Sequence, residues 1–146
     1  LERAAEAAVR ANDRVLSLRI ANRRAEALMQ AGEIEAAGQH SRQAMQIMEA
    51  PEATDGDISQ IVGVRLRCLS LSGQLGEARR LHDMARPIAA RVPVAHRGSY
   101  LSGIAFLAVL GGEPTRAIPE TAQAVEELRA ANLPRLLVTP LHNLGD

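Results

Sequence analysis

Between its polar breaks, the chain repeats apolar residues at three- and four-residue spacing, the period of a helix with one buried face. Leu18, Ala21, Ala25 and Leu28 form one such stripe; Ile58, Ile61, Val62, Leu66 and Leu69 form another. The first stripe predicts a helix from a cap at Asn12 or Asp13 to about residue 31. A second helix follows from Glu33 to about residue 50, closed by Pro51 and the polar loop 52–56. Asp57 is placed to cap a third helix that runs to Gly73, and its successor covers about 75–91, stopping before Pro93. Pro87 falls inside that stretch, where a kink or an early end is expected. A further pair covers about 95–111 and 114–131, with Pro119 bending the second member or delaying its start. Residues 1–11 read as an Ala-rich helix with Ala4 and Ala8 on one face. No stretch reads as a strand.

A short phrase recurs within this pattern. Residues 32–44 read GEIEAAGQHSRQA, residues 73–85 read GQLGEARRLHDMA, and residues 112–124 read GEPTRAIPETAQA. In each, Gly is followed five residues later by Ala and twelve later by Ala again, and the copies begin 41 and 39 residues apart. A fixed period near 40 marks a stacked helical array. Each Gly is expected to end one helix at positive φ. Glu33, Gln74 and Glu113 then open the next, where an acidic side chain suits the positive end of the helix dipole. Pro114 sits in a first turn, where its missing N–H is no loss. The paired alanines are two turns apart on one face, small enough for a neighbouring helix to approach closely.

These positions resemble a tetratricopeptide repeat, with Gly at the turn, two alanines on helix B and a small residue late in helix A. Ala37 and Ala44, Ala78 and Ala85, and Ala117 and Ala124 match the helix-B positions. Ala25 and Ala105 match the helix-A position, where the second copy has Leu66. The family's bulky aromatic positions hold mostly Leu, Val or Ala, and the period exceeds the usual length of about 34. The chain is thus most similar to the long-repeat variety in large bacterial signalling regulators and ATPases. The resemblance implies one all-α domain, a right-handed α-solenoid of antiparallel helix pairs. Three full repeats (13–50, 57–91 and 95–131) would stand between helix B of a preceding repeat at 1–11 and the start of a fourth at 134–146. There Asn143, Leu144 and Gly145 would lie mid-helix, with Gly145 in the small position. The chain is accordingly expected to be a piece of a longer solenoid, its cut ends promoting self-association.

The composition fits close-packed helices. The apolar residues are mainly Ala, Leu, Ile and Val, with Tyr100 and Phe106 as the only aromatics. All 17 basic residues are Arg and 17 acids balance them, so no net charge draws the chain to nucleic acid or anionic membrane. Without Lys, Walker-type and Schiff-base chemistry have no residue in this segment. The single cysteine, Cys68, excludes an internal disulfide framework and fits a cytoplasmic, reducing compartment. The longest apolar run, 100–112, is too short to span a bilayer and reads as a helix buried on several sides.

Catalytic chemistry finds no support in the pattern. His40, His82, His96 and His142 lack partners at the spacing of a helical metal site, and Cys68 lies on an apolar helix as a buried, inert thiol. Glu126 and Glu127 are adjacent and point apart. HRGSYLSG does not match the nucleophile elbow. No catalytic residue, cofactor or metal is expected.

A binding surface is expected instead. The resemblance implies that the A helices line a concave face, and counting back from each turn Gly gives Arg19, Asn22, Glu26 and Met29. The second copy gives Gln60, Gly63, Arg67 and Ser70, and the third gives Ser99, Ser102, Phe106 and Val109. The partial copy adds Thr139, His142 and Asp146. Arg19, Asn22 and Arg67 suit a carboxylate or peptide backbone, and Phe106 and Val109 add an apolar patch. The lysines of the family's carboxylate clamp are missing. The partner is then a protein, a peptide or another domain of the same chain, and the role a sensing or coupling scaffold in a regulator. The alternative is a small-molecule effector domain in a transcriptional regulator with an upstream nucleotide-binding module, with a deep pocket near Arg67 and Phe106.

Overall fold

The computed structural model describes residues 13–113 and 118–130, with Arg3, Thr115 and Asn132. Over these the chain is all-helical. Its α-helices are α1 (Arg14–Gln30), α2 (Ile34–Ala44), α3 (Asp55–Leu71), α4 (Leu75–Arg91), α5 (Gly98–Leu110) and α6 (Ile118–Ala130). Short 3-10 segments lie at Met45–Glu49 and Val94–His96. The expectations for the helix at 1–11, the partial repeat at 134–146, Pro114 and Ala117 fall outside the described residues.

Local chemistry sets the helix ends. The Asp13 carboxylate accepts the backbone N–H of Leu16 at 2.8 Å and caps α1. The three turn glycines adopt the expected left-handed conformation: Gly32 has φ 81°, Gly73 φ 75° and Gly112 φ 73°. All three close the same motif. Gly32 N–H donates to Met29 C=O and Glu33 N–H to Leu28 C=O; Gly73 and Gln74 donate to Ser70 and Leu69; Gly112 and Glu113 donate to Val109 and Ala108. These paired bonds satisfy carbonyls that a helix end leaves open, and after Gly32 and Gly73 the next helix begins within two residues.

Four boundaries differ from expectation. Thr54, not Asp57, caps α3; Asp57 is the third residue of a reciprocal capping box, which moves the helix start to Asp55. The α-helical part of the second helix ends at Ala44, continuing as the 3-10 segment to Glu49. The segment at 95–111 starts its α-helix only at Gly98, after the 3-10 turn. Pro87 does not end α4, which continues to Arg91. Ala85 and Ala89 are buried on either side of it, while Pro87 and Asp83 are exposed, so water can reach the carbonyl that the proline leaves unbonded.

The core centres on α3, which packs against α1, α2, α4 and α5. From Ile61 to Ser70 it is buried on all sides except at Arg67. On one side Ile61 joins Val15, Leu18, Ala44 and Ile47; on the other Val62, Leu66 and Leu69 join Leu81, Tyr100, Ile104 and Leu107. Each fully buried Leu or Ile contributes about 1.5–3 kcal/mol. The repeated alanines sit where helices meet: Ala37, Ala44, Ala78, Ala85 and Ala124 are buried, as are Ala25, Leu66 and Ala105. The approach is closest between α3 and α5, where Gly63 lies against the backbone of Ser99 and Tyr100, and Gly103 against Gly63.

Candidate functional site

The expected groove residues meet one another across the first helices of consecutive pairs. Arg19 of α1 grips Asp57 of α3 with both prongs, Nε to Oδ1 at 2.7 Å and Nη2 to Oδ2 at 3.0 Å. Glu26 of α1 accepts Arg67 Nη2 of α3 at 3.2 Å on one oxygen and Arg23 Nη1 at 2.9 Å on the other. Ser99 of α5 donates its hydroxyl to the Gln60 carbonyl of α3 at 3.1 Å. One ladder of polar contacts therefore joins α1 to α3 to α5.

Engagement in the ladder changes what these residues offer a ligand. Arg19 and Arg67 already have carboxylate partners, so neither is an unoccupied fork. Asn22, Gly63 and Ser70 are buried and present no outward surface. Gln60, Ser102 and Met29 are half-buried, while Phe106 and Val109 are exposed at 39% and 63%. Thr139, His142 and Asp146 lie outside the described residues.

The outward part of the face opens into a cleft at the N-terminal ends of α3 and α5. Its volume is about 520 Å³, and its walls come from Thr54, Asp57 and Gln60 on one side and from His96, Gly98 and Ser99 on the other. Among the described residues, the Gln60 side-chain amide makes no hydrogen bond, so its donor and acceptor both face available space. The cleft keeps its shape because α3's first turn is held from two sides. Arg19 binds Asp57, and Arg91 of α4 binds Asp55 through Nε at 2.8 Å and Nη2 at 3.0 Å. Arg19 holds the Asp57 carboxyl below the ordinary carboxylate range against the opposing effect of burial, and Arg91 does the same for Asp55.

From the cleft, Ser99, Ser102, Phe106 and Val109 continue along one side of α5 at helical spacing. The stripe is about 15 Å long at the helical rise. It passes from polar residues at the cleft to apolar ones near the C-terminal end of α5.

Several polar contacts escape the periodic pattern. Arg65 is 5% exposed and donates to Gly38 C=O and Ser41 Oγ at 3.2 Å and to Glu77 at 2.9 Å, joining α2, α3 and α4. Arg97 donates to the Val92 and Ala90 carbonyls at the end of α4, at 2.6 and 3.1 Å. The Tyr100 hydroxyl and His82 Nδ1 share a hydrogen bond at 2.8 Å. Cys68 is buried, and burial pushes its thiol pKa up, away from the reactive thiolate. The Thr54-x-x-Asp57 spacing is a sequence signal for the capping box. No comparable signal marks Arg65 or the Arg–Asp pairs.

Among the described residues, no helix is long and apolar enough to cross a membrane, and no group of three His, Cys, Asp or Glu is placed to hold a metal ion. Comparison with known proteins finds no family model, no curated protein and no solved structure that matches this chain.

Proposed function

We propose that the chain is a non-catalytic scaffold that binds an extended protein or peptide segment. It would serve as the sensing or coupling part of a larger bacterial regulator, built as a right-handed stack of tetratricopeptide-like helix pairs. One observation carries the reading: a polar cleft with a free amide at Gln60 leads directly onto an exposed apolar stripe at Phe106 and Val109. A peptide backbone offers alternating N–H and C=O groups that an amide side chain can meet together, and an apolar side chain further along can cover Phe106. At about 3.3 Å per extended residue, the 15 Å stripe accommodates about five residues. The ladder between α1, α3 and α5 supports the reading by holding the face rigid, which lowers the ordering cost of binding.

Selection of displayed peptides on the immobilised protein tests it. Enriched peptides should combine a polar end with an apolar residue three to five positions away. Gln60→Ala and Phe106→Ser should each weaken their binding about tenfold without changing the fold. Enriched peptides that bind both variants as tightly as the parent would overturn the assignment of this face.

A further inference from the structure

A second cleft, on a different face, carries a different chemistry. It lies where α4, α5 and α6 meet, has a volume of about 300 Å³, and is lined by Arg86, Ala89, Ala90, Arg97, Tyr100, Leu101 and Gln123. Ala89, Tyr100 and Leu101 are each at most 3% exposed, so the cleft has an apolar floor built from core side chains. Two arginines, Arg86 and Arg97, also line it. Arg97 is locked by its bonds to the Val92 and Ala90 carbonyls, and its Nη1 lies 3.6 Å from Glu127. Gln123 also reaches Glu127, at 2.8 Å, which draws that carboxylate toward the α6 side. Arg86 is exposed and makes no hydrogen bond or ion pair among the described residues. Among the described residues, the lining therefore holds two cations, with one carboxylate close to Arg97 and none paired with Arg86.

We propose that this cleft binds a carboxylate carried on a small apolar body, the carboxylate on Arg86 and the body on Ala89, Tyr100 and Leu101. A guanidinium offers paired N–H donors that match a carboxylate, and a fixed second cation at Arg97 raises the local positive potential. The cleft volume is at the small end of ligand sites, which suits a single ring or short aliphatic chain rather than a large molecule. Such a group reaches the cleft either as a free acid or as the C-terminal residue of a polypeptide. This proposal is independent of the peptide-binding face.

Titration of the isotope-labelled protein, followed by backbone amide shifts, tests it with four probes. These are phenylacetate, its neutral isostere phenylacetamide, a tetrapeptide ending in Phe with a free carboxylate, and the same tetrapeptide as its amide. Saturable shifts at Ala90, Leu101 and Gln123 are expected with phenylacetate or the free tetrapeptide, and at least about tenfold weaker binding for the uncharged partner of each. Preference for phenylacetate identifies a small acid; preference for the tetrapeptide identifies a chain terminus. Arg86→Gln should lose about tenfold in affinity with an unchanged melting temperature, because the side chain is exposed. Ala90→Leu, which adds bulk at an exposed residue of the lining, should abolish the shifts. Equal binding of charged and neutral probes, an unaffected Arg86→Gln variant, or no saturation by roughly 10 mM would overturn the proposal.

Discussion

Gly63 of α3 and Gly103 of α5 meet backbone to backbone: a Cβ added to Gly103 would stand 2.7 Å from the Gly63 carbonyl oxygen and 2.9 Å from Leu66 Cβ. One added at Gly63 would run into the Ser99 carbonyl. The obstacle is largely backbone, which a rotamer change cannot relieve. Gly103→Ala is therefore expected to destabilise by about 3 kcal/mol or more, despite alanine's better helix propensity. Gly38→Ala in α2, where a Cβ meets nothing within 4 Å, should stabilise by about 0.5–1 kcal/mol. Urea unfolding of the two variants checks both signs.

The turn between α3 and α4 depends on backbone conformation alone. Gly73 has φ 75° and open space around its Cβ position, so steric contact plays no part. Gly73→Ala should cost about 1–2 kcal/mol, and Gly73→Asn less, because asparagine tolerates the left-handed region. Asn132, at φ 55°, already occupies that conformation after α6. Equal costs for the two variants in thermal unfolding would show that conformation is not what selects glycine here.

Arg65 and Glu77 should respond unequally to mutation. Removing Arg65 leaves Glu77 half-exposed and hydrated, and Ser41 keeps its own bond to the Gly38 carbonyl at 2.9 Å. Arg65→Met, which fills the space, should therefore stay within about 1 kcal/mol of the parent. Glu77→Ala strands a buried guanidinium and should cost about 2–3 kcal/mol. Urea unfolding of the two single variants measures the difference, and a costlier Arg65→Met would contradict this expectation.

Acid should loosen α3's first turn. The carboxyl groups of Asp55 and Asp57 titrate below their ordinary value because Arg91 and Arg19 hold them ionised. Their contribution is then complete above the unfolded carboxylate pKa of about 3.9 and is lost as pH falls through the lower folded value. Melting temperatures from pH 7 to pH 3 should show the parent losing stability below about pH 4. Asp57→Asn should start lower and fall less steeply over that range.

The turn glycines and buried alanines are legible in the sequence because each reflects a local requirement, repeated at a fixed spacing. The face of each first helix is legible too, since helical periodicity places Arg19 with Glu26 and Ser99 with Phe106. What covers that face is not. The Arg19–Asp57 and Glu26–Arg67 pairs join residues 38 and 41 positions apart, and nothing local distinguishes a side chain engaged by another helix from one facing solvent. Asn22 and Gly63 share the groove register, yet both are buried, because helix packing rather than periodicity decides the close contacts of α3. Arg67 falls on the groove register, whereas nothing in the pattern marks Arg65, two residues earlier, as the arginine buried among three helices.

The most direct test of the scaffold reading is a backbone amide shift map of the protein with a selected peptide bound. Shifts are expected at the cleft residues Gly56, Gln60, Ala95, His96, Gly98 and Ser99 and onward along α5 to Phe106 and Val109, with the peptide released intact. Shifts confined to residues outside the cleft and the α5 stripe, such as the exposed Arg42 of α2 and Arg80 of α4, or chemical conversion of the peptide, would contradict it.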